Sequence, residues 1–92
     1  MALNGLGEAV QAMGQSAEAM THHSTALSLA LDTDDREQQA RAHAGLGRAF
    51  GALAQPRRAR EHLQQAVALY ADLGYPEAEQ IRAELAGHKH PS

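Results

Sequence analysis

The sequence has no cysteine and no tryptophan, and its only aromatic residues are one phenylalanine and two tyrosines. The absence of cysteine excludes disulfide bonds and thiol chemistry. The scarcity of large aromatic side chains limits how much apolar area each core position can bury. We therefore expect a core that packs closely but gains little burial energy per residue.

Strong charge of either sign is also absent. Eight basic and eleven acidic residues give a formal charge of −3, so composition gives no reason to expect a nucleic-acid or anionic-membrane surface. No stretch approaches the length of a membrane span, and the N-terminus lacks the basic start and apolar run of a signal peptide. The expectation is a soluble, cytoplasmic protein.

Alanine is what the sequence has in abundance, at 20 of 92 positions. Alanine is the strongest helix former, and the Glu, Gln and Arg residues that fill much of the remainder rank close behind it. The length suits one domain of modest stability. The composition therefore predicts a small all-α domain.

An internal repeat organises the chain. Gly5-Leu6-Gly7 recurs as Gly45-Leu46-Gly47, an offset of 40 residues, and residues 5–44 and 45–84 share twelve identities without a gap. Four of these are alanine pairs, so the Gly-Leu-Gly triplets carry most of the argument. A period of this length is typical of solenoids built from stacked helical hairpins.

Helix signals divide each repeat in two. In repeat one, Gly14 predicts the end of a first helix. One face of that helix carries Leu3, Leu6, Val10 and Met13. A second helix is predicted to run to about Asp32.

Repeat two and the last helix show similar signals. Asp34 stands three residues before Glu37 as in a capping box, which predicts a helix from near Asp35 to Ala54. Pro56 suits the first turn of the next helix, and Gly74 its end. A last helix is predicted from Pro76 to Gly87.

The order of these residues resembles the tetratricopeptide repeat. The matching positions, which we expect to pack the repeats, are Leu6, Gly7, Val10, Ala19 and Ala26 in repeat one and Leu46, Gly47, Phe50, Ala59, Leu63 and Ala66 in repeat two. Two departures are His23, where the family prefers a large apolar residue, and the missing aromatic before each Leu-Gly pair. The 40-residue period is also longer than the family's usual one and implies lengthened helices.

The resemblance implies a right-handed α-solenoid of two hairpins and a capping helix, five helices in all. Within a single domain spanning residues 1–92, we expect repeat one at about 1–33, repeat two at 34–74, the capping helix at 76–87 and a tail at 88–92. The register places the start of the first helix before residue 1, and Gly87 aligns with Gly47 as if a third repeat began there. We therefore expect a piece of a longer array, whose N-terminal face needs a partner.

Residues 71–79 (ADLGYPEAE) and the Ala/Arg/Gln-rich texture are also similar to the C-terminal repeat regions of actinobacterial transcriptional regulators of the antibiotic-regulatory type. In such proteins the repeats imply a sensing or regulatory arm, while DNA binding belongs to a separate upstream domain. We therefore expect no direct contact of this chain with nucleic acid.

Tetratricopeptide arrays usually hold a peptide on the concave side, which the first helix of each hairpin lines. The resemblance assigns to this groove Asn4, Glu8, Gln11, Arg41 and Arg48; the alternative is an ordinary solvated helix face. His43 is a further candidate for the groove wall or for a structural role. The lysine and asparagine pair that clamps a terminal carboxylate in some members is missing, because the only lysine is Lys89.

Catalytic, cofactor and metal sites are not expected. No phosphate-binding loop follows a strand, and no nucleophile stands at a recognisable spacing from a base. Adjacent His22 and His23 point about 100° apart on a helix, and no His-x-x-x-His pair exists. Arg57, Arg58 and Arg60 form the densest basic cluster, which we interpret as a solvated face because no aromatics interleave with it.

Two functional hypotheses remain. The first is an interaction scaffold that binds a protein or peptide in its groove, without enzymatic activity and without contact to a membrane. The second is self-association into a homo-oligomer through the uncovered first helix.

Overall fold

The computed structural model describes residues 2–89, and these residues form five α-helices and no strand. The helices are α1 (Ala2–Ala12), α2 (Ser16–Asp32), α3 (Arg36–Ala52), α4 (Pro56–Leu73) and α5 (Glu77–Lys89). Helices α1 and α2 form one antiparallel hairpin, α3 and α4 form the next, and α5 packs on α4. The predicted all-α helical repeat is confirmed.

Local chemistry sets most of the helix ends. Gly14 and Gly74 have φ angles of +81° and +76°, the left-handed region that glycine enters without a Cβ clash, and they follow the ends of α1 and α4. Pro56 occupies the first turn of α4, where its missing N–H costs no helical hydrogen bond. The ends of α1 and α4 and the start of α4 therefore lie where the sequence predicts them.

The start of α3 differs from the prediction. Asp35, not Asp34, is the N-cap, and its carboxylate accepts a hydrogen bond from the backbone N–H of Gln38 at 3.2 Å. Asp34 has a φ of +55° and belongs to the turn. Glu37 does not complete a capping box, because with Asp35 as the N-cap the required third position is Gln38. The Glu37 carboxylate instead accepts a hydrogen bond from the hydroxyl of Tyr75 at 3.3 Å.

The C-terminal helix is longer than predicted. Gly87 does not have a positive φ and lies inside α5, which continues to Lys89. Since a glycine ends a helix by adopting the left-handed conformation, a helical Gly87 cannot act as a stop. The rest of the predicted tail, residues 90–92, lies outside the described residues, as does Met1.

Small side chains build the core. One cluster joins α3, α4 and α5 and contains Ala40, Ala44, Leu63, Ala66, Tyr70, Ala78 and Ile81; a second contains Leu46, Phe50 and Ala59, with Met20 and Leu27 of α2 packed against it. A Cβ on Gly47 would lie 2.7 Å from the Leu63 side chain and 3.1 Å from the carbonyl oxygen of Ala59. Glycine at this position therefore allows α3 and α4 to approach closely.

The apolar stripe predicted on α1 is wrong in two of its residues. Leu6 is 47% exposed and Met13 is 68% exposed, whereas Val10 is buried. Leu46, the repeat-two equivalent of Leu6, is buried because Met20 and Leu27 of the preceding hairpin cover it. No described helix covers the corresponding face of α1, so Leu6 does not pack repeats together in this chain.

Candidate functional site

The first helices of the two hairpins share a face with α5, and this face carries a polar hollow that we call the groove. Its volume is about 250 Å³, and it is lined by Glu8, Arg41, Ala44, Arg48, Tyr70, Glu77, Gln80 and Ile81. An adjoining hollow of about 240 Å³ is lined by Glu8, Gln11, Ala12, His23, Gly45 and Arg48. Four of the five predicted groove residues, Glu8, Gln11, Arg41 and Arg48, therefore lie together.

Both groove arginines form ion pairs with a neighbouring helix. Arg41 on α3 donates from Nη2 and Nε to the two carboxylate oxygens of Glu8 on α1, at 2.8 and 3.3 Å. Arg48 makes the same two-point contact with Glu84 on α5, at 3.0 and 3.3 Å. Hydrogen bonds to these carboxylates raise the pKa of both guanidinium groups. Sequence reasoning found three of the four charges but missed Glu84 and the pairing.

Asn4 does not line the groove, and this prediction is wrong. Its side chain is fully buried between helices, where its Nδ2 donates to the backbone oxygen and to the Oε1 of Gln38, at 3.1 and 3.0 Å. Its Oδ1 lies 2.7 Å from Nδ1 of His23. Since Oδ1 can only accept, the imidazole carries its proton on Nδ1.

We call Asn4, His23 and Gln38 the polar triad. At the equivalent positions, 40 residues later, repeat two has the apolar set Ala44, Leu63 and Ala78. His23 departs from the family pattern together with two other polar residues, Asn4 and Gln38. Asn4 bonds both His23 and Gln38, so the buried polar atoms have partners. Burial is the main cause that lowers the pKa of His23, which favours the neutral imidazole.

Two glycines make room for the His23 ring. A Cβ on Gly7 would lie 2.7 Å from the imidazole Nε2, and a Cβ on Gly45 would lie 2.2 Å from it. Contacts this short are impossible for real side chains. The glycines at positions 7 and 45 thus allow α1 and α3 to pack closely against the His23 ring of α2.

Gln11 has one unsatisfied polar atom. Its Nε2 donates to the hydroxyl of Ser16 at 3.1 Å, while its buried Oε1 has no hydrogen-bond partner within the part of the chain that the structure describes. Buried acceptors without a partner are uncommon in folded proteins. The Gln11 side chain lines the hollow that adjoins the groove.

His43 lies between α3 and α4 and not on the groove wall. Its Nδ1 is 3.0 Å from Nδ1 of His62, and the His62 ring stacks on Phe50 with a centroid distance of 5.4 Å. Burial, and then His62, lowers the pKa of His43 to about 4, and burial also lowers the pKa of His62. One neutral ring donates to the other, which gives this pair a structural role.

Across residues 2–89, no three His, Asp or Glu side chains are grouped so that they could hold a metal ion. Within the same residues, none of the five helices combines the length and apolar character needed to cross a bilayer.

A comparison with protein families agrees with the helical hairpins. The model of the family described as Tetratricopeptide repeat matches residues 1–72, from α1 to the end of α4. No curated protein and no solved structure matched the chain significantly. The family match supports a general role in protein–protein interaction. By its repeat pattern, its paired helices and this match, the chain belongs to the tetratricopeptide repeat family.

Proposed function

We propose that this chain is a non-enzymatic interaction module of the cytoplasm that binds a peptide or protein partner in the groove. The observation that carries the proposal is that charged side chains of α1, α3 and α5 line one hollow: Glu8, Arg41, Arg48 and Glu77. Glu84 of α5 pairs with Arg48 beside it. Elements that are distant in sequence thus present a mixed set of donors and acceptors to one ligand.

The floor of the groove supports the same role. Ala44 and Ile81 supply an apolar base, and Tyr70, only 5% exposed, brings a hydroxyl into a wall formed by the two arginines. Burial is the main cause that raises the pKa of Tyr70, so this hydroxyl keeps its proton and can donate. A partner with exposed backbone carbonyls or carboxylates would meet several hydrogen-bond donors next to the apolar residues Ala44 and Ile81.

A charge swap tests the groove without removing an ion pair. In the double variant Glu8→Arg/Arg41→Glu the two charges trade helices, so the pair is retained while the pattern presented to a ligand is inverted. The matched control is Arg36→Asp/Asp72→Arg, because this pair joins α3 to α4 at 2.7 Å and does not line the groove.

Immobilised wild type and both variants are exposed to lysate of the source cells, and retained proteins are quantified by mass spectrometry. We expect a partner that the wild type and the control swap retain and that the groove swap loses. Equal retention by all three proteins would show that the groove charges do not contact the partner.

We further propose that the module is the regulatory or sensing arm of a larger bacterial transcription regulator. The support is the similarity of residues 71–79 to the repeat regions of antibiotic-regulatory-type regulators. Introducing the groove swap into the source strain should change transcript levels of genes near its own locus, while the control swap should not. Unchanged transcripts in both strains would remove the regulatory part of the proposal.

The second candidate is self-association through α1. Leu6 is exposed, whereas its repeat-two counterpart Leu46 is buried in the cluster on which Met20 and Leu27 of the preceding hairpin pack. If two copies bury the face of α1 that carries Leu6, Leu6→Glu should convert a dimer to a monomer in sedimentation equilibrium. A wild type that stays monomeric at high concentration would eliminate this candidate.

A further inference from the structure

A third hollow, separate from the groove floor, opens between α3, α4 and α5. Its volume is about 630 Å³, and we call it the terminal cleft; it is lined by Gly47, Arg48, Gly51, Ala54, Pro56, Leu63 and Glu84. Five of these seven residues are apolar or glycine, and the two charged ones are bonded to each other. The volume lies in the range of ligand pockets, which is about 300–1,000 Å³.

The repeat explains why this cleft is open. Between the first two hairpins, Gly45 of α3 lies so close to His23 of α2 that no side chain fits there. The offset of 40 residues places Leu85 of α5 where Gly45 stands in α3, and Leu63 where His23 stands. Leu85 packs against the cluster that contains Leu63, and its side chain needs more room between the helices than the glycine at position 45 does.

A second difference enlarges the space. In repeat one, Gln11 donates a hydrogen bond to the hydroxyl of Ser16, and the corresponding hollow beside His23 and Gly45 has only about 240 Å³. The equivalent residues in repeat two are Gly51 and Pro56, which have no side chain that could make this bridge. The larger cleft is therefore associated with four residue changes between the repeats.

One end of the cleft lies beside the densest cluster of arginines in the sequence. Residues 48–63 contain four arginines and a single acidic residue, although the whole chain has eleven acidic residues and only eight basic ones. Pro56 also borders an adjoining hollow of about 260 Å³ between Arg57 and Arg60. The N-terminus of α4, with its partial positive charge, lies at the same place.

We propose that the terminal cleft binds a large apolar side chain presented by an acidic peptide segment of a protein partner. The small-residue walls accept the apolar anchor, and the arginines with the α4 N-terminus attract the flanking carboxylates. This inference rests on the proposed role as an interaction module, but it assigns a second contact with its own chemistry, in a hollow that shares only Arg48 with the lining of the groove.

The probe is a short fluorescein-labelled peptide with one phenylalanine flanked by glutamates, followed by fluorescence anisotropy. Two companion peptides replace the phenylalanine by serine or the glutamates by lysines. We expect the first peptide to bind and each companion to bind at least about tenfold more weakly, as loss of an anchor or of complementary charge does at other interfaces. Absence of binding by the first peptide, or equal binding by the serine peptide, would overturn the proposal.

Variants locate the binding. Gly51→Leu fills the cleft, and Gly51→Gln restores the residue found in repeat one; both replace a helical glycine by a better helix former, so the fold is retained. The control is Gly5→Leu, because Gly5 is helical and a Cβ there would meet nothing within 4 Å. We expect both Gly51 variants to weaken peptide binding at least about tenfold, with no effect of Gly5→Leu.

The groove swap Glu8→Arg/Arg41→Glu separates this inference from the proposed function. If the cleft binds the peptide, the swap leaves the affinity unchanged. Loss of peptide binding in the swap, but not in Gly51→Leu, would refute the cleft and favour the groove. A dimer that Gly51→Leu converts to a monomer would show that a second copy fills the cleft, which also refutes the proposal.

Discussion

The polar triad offers the sharpest test of how the first hairpin is held against the second. Asn4→Ala removes the acceptor of the His23 Nδ1–H and the donor to Oε1 of Gln38, and all three residues are buried. Each buried polar atom left without a partner costs about 1–3 kcal/mol. Two such atoms, with partial relief from a change of tautomer, give an expected loss of about 2–4 kcal/mol.

A triple variant tests whether the triad acts as one unit. Asn4→Ala/His23→Leu/Gln38→Ala installs the apolar residues that repeat two has at the same positions. When every member of a network is replaced, no polar atom is left unsatisfied, so the loss should be far smaller than the sum of the single losses. We expect the triple variant to be more stable than Asn4→Ala alone.

Urea unfolding, followed by the circular dichroism of the helices, measures both quantities. The reciprocal variant Ala44→Asn places a lone asparagine in the apolar set of repeat two and should also destabilise the protein, since it has no imidazole or amide partner there. A triple variant that loses the full sum of the single losses would refute a coupled network. An Asn4→Ala variant as stable as the wild type would refute it equally.

Three further predictions concern packing, pH and capping. Gly45→Ala should cost roughly 3 kcal/mol by overpacking, whereas Gly5→Ala, in open space, should gain about 0.5–1 kcal/mol; equal urea midpoints would contradict this. The pKa of His43 is about 4 in the folded protein and about 6.5 in the unfolded chain, so the unfolded chain binds the proton more readily between these values. The free energy of unfolding should therefore be highest above pH 6.5 and should fall as the pH drops to 4. The fall should be less steep in His43→Gln. A urea midpoint that stays constant or rises as the pH drops from 6.5 to 4 would show that burial does not lower the pKa of His43. Asp35→Ala should cost about 1 kcal/mol through the lost N-cap, and an unchanged midpoint would show that water replaces it.

Features that are set by a residue itself or by residues next to it in the sequence could be predicted. The left-handed glycines Gly14 and Gly74 and the helix-starting Pro56 act through their own backbone, so their effect does not depend on tertiary contacts. The 40-residue period similarly gave the order of the hairpins. The position of the cap at the start of α3 was missed by one residue, because two adjacent aspartates satisfy the same rule.

Burial in α1 was harder to predict, because it depends on other helices. Asn4 is polar and was therefore assigned to an exposed face, but its partners His23 and Gln38 are 19 and 34 residues away. Leu6 is apolar and was assigned to the core, yet no described helix covers it. Alignment of the two repeats carries the missing signal: three polar residues in one repeat replace three apolar residues in the other.

Only part of the groove could be predicted, because its ion pairs also depend on contacts between helices. The first helices of the hairpins were identified from the repeat, which placed Glu8, Arg41 and Arg48 on one surface. Their ion pairs join residues that are 33 and 36 positions apart, and periodicity within one helix does not show such contacts. Glu84 was not among the predicted groove residues, although it pairs with Arg48.

Site-specific photocrosslinking tests the central claim, that the groove holds a protein partner, most directly. A photoreactive phenylalanine analogue replaces Gln80, an exposed groove residue, or Gln64, an exposed residue of α4 that does not line the groove. After irradiation in the source cells, we predict a discrete crosslinked partner from position 80 and none from position 64. Crosslinks from position 64 alone, or from both positions with equal yield, would contradict the account.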